Sequence, residues 1–363
     1  MMRNANGQDT GREDTGRQDT AGQGANGTAL VLGATGGIGG RVARSLQARG
    51  WAVRALHRDP ARVAAPAGGI RWIAGDAMNA RDVAAAAEGA QLVVHAVNPP
   101  GYRRWGELVL PMIDNTIAAA RSSGARILLP GTVYNYGRDA MPLIGEDAPQ
   151  TPFTNKGRIR AEMERRLKRA AEAGGKVLIV RAGDYFGPGA GNNWFSQVLA
   201  KGEGPLRRIT YPGRRGVGHQ WAYLPDVAET MVRLVEREHM LGAFASFHMA
   251  GHWDADGTAM IAAIRRAVGR PDLPVSSLPW GVMTLAAPFV PLFRELGEMR
   301  YLWREPVRLD GARLAALGIE AHTPLDAAVR ETLAGRAASS PSDAPSAQAA
   351  TFASVAESGT PPK

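Results

Sequence analysis

The chain is expected to fold as an α/β protein, a doubly wound parallel sheet with a smaller C-terminal lid. Short apolar, β-rich runs alternate with amphipathic helical stretches through its first half. A glycine-rich turn joins the first of these runs to the first helical stretch, and the alternation loosens after Gly183. Strands alternating with helices imply a parallel sheet covered on both faces.

In chain order, TALVLG is the first strand and 38–49 the helix after it. WAVRALHR, IRWIAGD, AQLVVHAV, ARILLP and KVLIVRAG follow as strands, with helices over 81–88, 105–122 and 156–173. The pattern returns as a helix over 225–237 and a strand AFASFHMA, then runs mostly helical to residue 334. Residues 1–27 carry an imperfect polar repeat, GQDTGREDTGRQDT, and 335–363 are rich in Ala, Ser and Pro. Neither end has enough large apolar side chains to offset the entropy of ordering, so both are expected to be disordered. This leaves a nucleotide-binding core over 28–182 and a substrate-binding region over 183–334, with 220–249 returning to the core.

Composition narrows the function. With no cysteine, disulfides, thiolate chemistry and Cys-ligated metals are excluded. The first residues form no apolar signal core, and the longest apolar run, 280–293, contains two prolines and is too short to span a bilayer. A cytoplasmic protein with no membrane partner is expected. The net charge of +9 comes almost wholly from arginines spread along the chain. No basic run is interleaved with aromatics, so the charge reads as a solvated surface that suits anionic small molecules, and no nucleic-acid partner is expected. His248 and His252 have i,i+4 spacing but fall on a strand followed by Gly251, so no metal site is expected.

LVLGATGGIGG is the first functional motif. Gly33 permits the tight turn, Gly36 lets backbone approach a pyrophosphate, and Gly39 allows the helix to pack closely on the strand. Thr35, Gly37 and Ile38 complete the loop and helix start, where free N–H groups cradle phosphate charge. The second strand ends in His57 and Arg58, where an NAD-specific site places a carboxylate on the ribose. A guanidinium there binds a 2′-phosphate, so NADP(H) is expected in preference to NAD(H), a solvated surface arginine being the alternative. Asp76 and Ala77 at the third strand end face the adenine, and Ala96 after the fourth lies along the cofactor.

The order of GATGGIG, the Gly75-Asp76 step, GTVYNYG, RAGDYFGPG and HQWAYLPDVAE resembles the extended and atypical short-chain dehydrogenase/reductases. The nearest likeness is to the NAD(P)-dependent epimerase/dehydratase group, and it covers about 28–333. It implies a Rossmann core, a C-terminal substrate domain, and a substrate cleft bordered by the segments after Arg181 and around 219–226. Members of that group carry a Ser and then Tyr-x-x-x-Lys, with the lysine four residues before a glutamate. Counted back from Glu162, those positions hold Thr154 and Arg158, and the serine position falls on Pro130-Gly131. Lys156 lies about 200° round the helix from Arg158 and points elsewhere.

A threonine hydroxyl is too basic to stand in for the tyrosine. Tyr134, just past the fifth strand, is the leading relocated proton donor, ahead of Tyr136, Tyr185 and His219; packing alone is the alternative for each. Two functions follow. One is an NAD(P)-dependent reductase, epimerase or dehydratase acting on a small carbonyl or sugar-type substrate, as a monomer or homodimer. The other is a non-catalytic NADP(H)-binding regulator or sensor.

Overall fold

The structure, a computed structural model, describes residues 26–63, 69–99, 104–191, 193–202 and 204–338. Most of the two compositionally biased ends therefore lies outside the described residues. The first half builds β1 (Thr28–Leu32), α1 (Gly37–Ala48), β2 (Ala52–His57), β3 (Arg71–Ala74), α2 (Ala80–Ala86), β4 (Leu92–His95), α3 (Trp105–Ser123) and β5 (Arg126–Gly131). Then come β6 (Leu143–Ile144), α4 (Asn155–Glu172) and β7 (Lys176–Arg181).

Every residue of β1 and β4 is buried, which is why these strands read as unbroken apolar runs. The remaining elements are β8 (Asp184–Phe186), β9 (Ile209–Tyr211), β10 (His219–Tyr223), α5 (Leu224–Val235), β11 (Phe244–His248), β12 (His252–Asp254) and α6 (Ala259–Ala267). After them come β13 (Val275–Ser277), α7 (Trp280–Ala286), α8 (Pro291–Glu298), β14 (Arg308–Leu309), α9 (Ala312–Leu317) and α10 (Leu325–Ala338). Among these, α10 continues beyond residue 334, into the stretch whose composition suggests a tail.

The main sheet has seven strands in the order β11-β7-β5-β4-β1-β2-β3, all parallel. Strand order reverses between β1 and β4, and in open α/β sheets ligands bind beyond the strand C-termini at that point. One face of the sheet is covered by Val42, Ala43 and Leu46 of α1 and Val227, Met231 and Leu234 of α5. The other is covered by Val83 of α2, Val109 and Ile113 of α3, and Met163 and Leu167 of α4. The segment 224–248 thus leaves the lid, crosses as a helix beside α1 and adds β11 at the sheet edge.

The lid has its own core, in which Phe186, Phe195, Trp221, Tyr223, Met260, Ile264 and Trp303 pack together. A fourth cluster joins it to the main sheet: Tyr301, Leu302 and Val307 meet Tyr136 and Ile144, with Val133 and Tyr134 at its margin. That cluster holds the lid turn over the C-terminal ends of β5 and β7.

Candidate nucleotide and substrate site

The turn after β1 is built on glycine for steric reasons. Gly33 has φ +88, and a Cβ there would lie 2.6 Å from the Ala96 carbonyl oxygen. A Cβ on Gly39 would lie 2.3 Å from the Gly33 carbonyl oxygen, so the helix start and both strand ends require hydrogen at that position. Gly36 is the N-cap of α1, and no side chain caps the helix there, so its first N–H groups are left to an external anion. Thr35 and Gly36 are exposed, while Gly37 and Ile38 are half-buried, Gly37 against the backbone of Gly189 and Ala190.

Beyond β2, His57 is fixed by accepting the Asp59 backbone N–H at 3.1 Å and standing edge-on to Trp72. Arg58 is exposed at the strand end. Beyond β3, the Asp76 carboxylate accepts the Met78 N–H and its own N–H donates to Asp82, each at 2.9 Å. The Ala77 carbonyl is held by Asn115 at 2.9 Å. Arg58, Asp76, Ala77 and Ala96 therefore surround the C-terminal edge that the sequence assigns to the nucleotide.

At the ends of β5 and β7 lies a buried polar network. Glu164 on α4 and Arg181 at the end of β7 form a double hydrogen bond at 2.8 and 2.9 Å, with the Arg181 side chain 1% and Glu164 4% exposed. Arg181 also donates to the Thr132 carbonyl at 2.7 Å and to His248 Nε2 at 3.2 Å. Tyr136 donates to the same nitrogen at 3.0 Å, which places the ring proton on Nδ1, facing the Ile144 carbonyl. Burial works against the Arg181 charge, but Glu164 outweighs it and holds the guanidinium above its ordinary pKa.

Tyr136 is thereby committed to the interior, whereas Tyr134, two residues earlier, is half-buried at the edge. No serine follows β5; Thr132 supplies the hydroxyl there and donates it to Asn135 at 2.5 Å.

The α4 helix corrects the register counted from Glu162. That glutamate pairs with Arg165 and Arg166 on the same helix, whereas the glutamate turned inward to Arg181 is Glu164. Counting back from Glu164 puts Arg160 at the lysine position and Lys156 at the tyrosine position. Geometry agrees: Thr154 is the N-cap of α4, accepting the Gly157 N–H at 3.0 Å, and Arg158 is exposed, bonded to the Phe153 carbonyl and Asn155.

Lys156 is 4% exposed between Glu298 at 2.7 Å and Glu295 at 2.5 Å, tying α8 to the start of α4. Although burial favours protonation of Glu298, its hydrogen bonds to Lys156 hold it below the ordinary carboxyl pKa.

Arg160 instead reaches the end of β4, with its guanidinium 5.0 Å over the Trp105 ring and one nitrogen 3.4 Å from Asn98. Tyr134 also meets that indole, its ring centroid 6.5 Å away and its plane tilted by 42°. Tyr185 completes the group: burial, then Tyr134, raises its pKa, while Arg160 acts to lower it. A phenol and a permanent cation thus converge at the ends of β4 and β5.

His219 lies on the lid side, stacked on Trp303 at 3.8 Å, with Nε2 2.9 Å from Asp184 and Nδ1 3.2 Å from the Leu302 carbonyl. The two groups line a cavity of about 10 Å³ with Val133, Gly183 and Gln220, roughly the room of one water.

Buried imidazoles give the protein a pH dependence. Burial lowers His95 and His248 to about 3 and His252 to about 4, with Arg160, Arg181 and His322 respectively adding to the shift. The unfolded chain binds these protons below about 6.5 and the folded chain does not. The associated stability is therefore full above that pH and lost as pH falls towards 4. Melting temperature should drop steadily from pH 7 to pH 5; a flat profile would contradict the buried, neutral imidazoles.

Residues 33–185 match the family model described as NAD(P)H-binding. The chain is 29% identical over 272 residues to a 3-diazoavenalumate denitrifying reductase of Streptomyces, covering 69% of this chain and 84% of that protein. A putative epimerase from Burkholderia cenocepacia J2315 superposes with a TM-score of 0.67 at 21% identity, covering 86% of this chain and 98% of that one. MoeE5 in complex with UDP-glucose and NAD gives 0.66 at 19%, covering 85% and 98%. UDP-N-acetylglucosamine 4-epimerase from Bacillus cereus gives 0.64 at 17%, covering 85% and 95%. Likeness at that level of identity is a likeness of fold.

Proposed function

We infer that this chain, which carries an NAD(P)-binding domain on the fold of the NAD-dependent epimerase/dehydratase-like enzymes, is an NADP(H)-dependent reductase of a small carbonyl compound. The observation that carries the reading is the convergence of Tyr134 and Arg160 on Trp105, beside the ends of β4 and β5, the edge this reading gives to the nicotinamide. When bound, such a cofactor supplies the hydride. The uncapped start of α1 would hold the pyrophosphate, and Gly33 and Gly39 let the turn, α1 and the end of β4 pack closely enough to form that start.

Tyr134 donates its hydroxyl proton to the carbonyl oxygen as negative charge develops there. The Arg160 guanidinium stabilises the phenolate left behind. This division of labour does without a Tyr-x-x-x-Lys pair, since Lys156 is engaged by two carboxylates. The reductase among the relatives supports reduction over epimerisation. Its name also adds an acceptor class: a diazonium carbon that takes a hydride becomes C–H and releases N₂, with no proton required from the protein.

Arg58 sets the cofactor preference in this reading. Arg58→Ala should weaken NADPH binding about ten- to hundredfold and leave NADH binding almost unchanged, the loss expected for one charge-assisted phosphate contact. Fluorescence titration with both cofactors measures it, and equal affinities in the parent protein would remove the assignment.

The reading as a whole is tested by NADPH oxidation against a panel of aldehydes, ketones, sugar nucleotides and an aryl diazonium salt. Substrate-dependent oxidation is expected. Tight NADPH binding with no turnover across the panel would favour the sensor.

A further inference from the structure

We propose that Tyr301, carried on the lid, is a substrate-contacting residue whose hydroxyl donates a hydrogen bond to an oxygen acceptor on a planar aromatic substrate. The inference rests on the reductase reading and assigns a substrate class to that site.

Tyr301 lies in the short turn 300–303 and is 6% exposed, yet its hydroxyl oxygen has no hydrogen-bond partner among the described residues. A buried hydroxyl left unpaired is destabilising, and it is seldom kept unless a ligand or ordered water completes it. Burial, then the neighbouring Tyr134 and Asp184, raises its pKa, so it stays a neutral donor and complements Tyr134 as the source of the proton.

The surroundings set the shape of the substrate. Phe153 stands edge-on to Tyr301 with ring centroids 4.6 Å apart, and Tyr134 packs at the margin of the same cluster and reaches Trp105. Tyr185, which interacts with both Tyr134 and Arg160, adds a further ring beside that pair. Stacked and edge-on contacts at such spacings favour a flat ring over a hydroxyl-rich sugar.

Benzaldehyde is the probe, measured against the NADP⁺-loaded protein by calorimetry and thermal shift. Tyr301→Phe should leave the melting temperature of the free protein unchanged or slightly raised, because no internal bond is lost. NADP⁺ affinity should also be unchanged, while benzaldehyde affinity falls about tenfold. Toluene, which lacks the oxygen, should bind parent and variant alike. Equal benzaldehyde affinities in the two proteins, including the case in which neither binds, would overturn the proposal, as would a loss of several degrees in the free variant. The binding assay needs no turnover. Benzaldehyde that binds through Tyr301, with no member of the carbonyl, sugar-nucleotide and diazonium panel turned over, would defeat the reductase reading and leave this contact standing.

Discussion

Glu164→Ala should destabilise the protein by about 3–5 kcal/mol, the effect of removing one partner from a buried ion pair. The reason is local. Arg181 is 1% exposed and keeps its charge because Glu164 takes two of its donors. Without that carboxylate the guanidinium stays in the interior with the Thr132 carbonyl and a neutral imidazole as partners. The damage should spread to the site, since the same network fixes Thr132, Tyr136 and β11 relative to α4. Glu164→Gln, which keeps an acceptor but not the charge, should lose less. Urea unfolding of the three proteins gives the numbers; a loss below about 1 kcal/mol in Glu164→Ala would show that water reaches Arg181.

Tyr134→Phe should lower turnover on a carbonyl substrate about a hundredfold or more, the range for loss of a positioned general acid. NADPH affinity should change little, because the variant lacks only a hydroxyl that acts in the transition state. Packing against Trp105 survives, so the melting temperature should hold. An aryl diazonium acceptor, which needs no proton, should be far less affected. Full turnover on a carbonyl in Tyr134→Phe would leave the relocated donor without its best candidate.

The core was legible because its chemistry repeats along the chain. Buried parallel strands must be apolar throughout, the helices between them must be amphipathic, and the turn between β1 and α1 tolerates only glycine at Gly33 and Gly39. Helical phase in α4 was harder to read. Glu162 and Glu164 offer two registers two residues apart, and sequence alone does not say which turns inward. Burial of Glu164 against Arg181 decides it, moving the cationic position from Arg158 to Arg160. Tyr134 and Tyr136 posed the same problem: one polar residue in two packs inward, and the partner that selects Tyr136 is His248, more than a hundred residues away. Tyr301 gave no signal in the sequence. Its place depends on how the lid closes over β5 and β7, and no local pattern encodes that.

The measurement that tests the central claim most directly is transfer of deuterium from NADPH deuterated at the nicotinamide C4 position, read by mass spectrometry of the product. The account predicts one deuterium on the former carbonyl carbon in the parent protein, with the rate sharply reduced in Tyr134→Phe. NADPH that binds but delivers no deuterium to any member of the panel would contradict it.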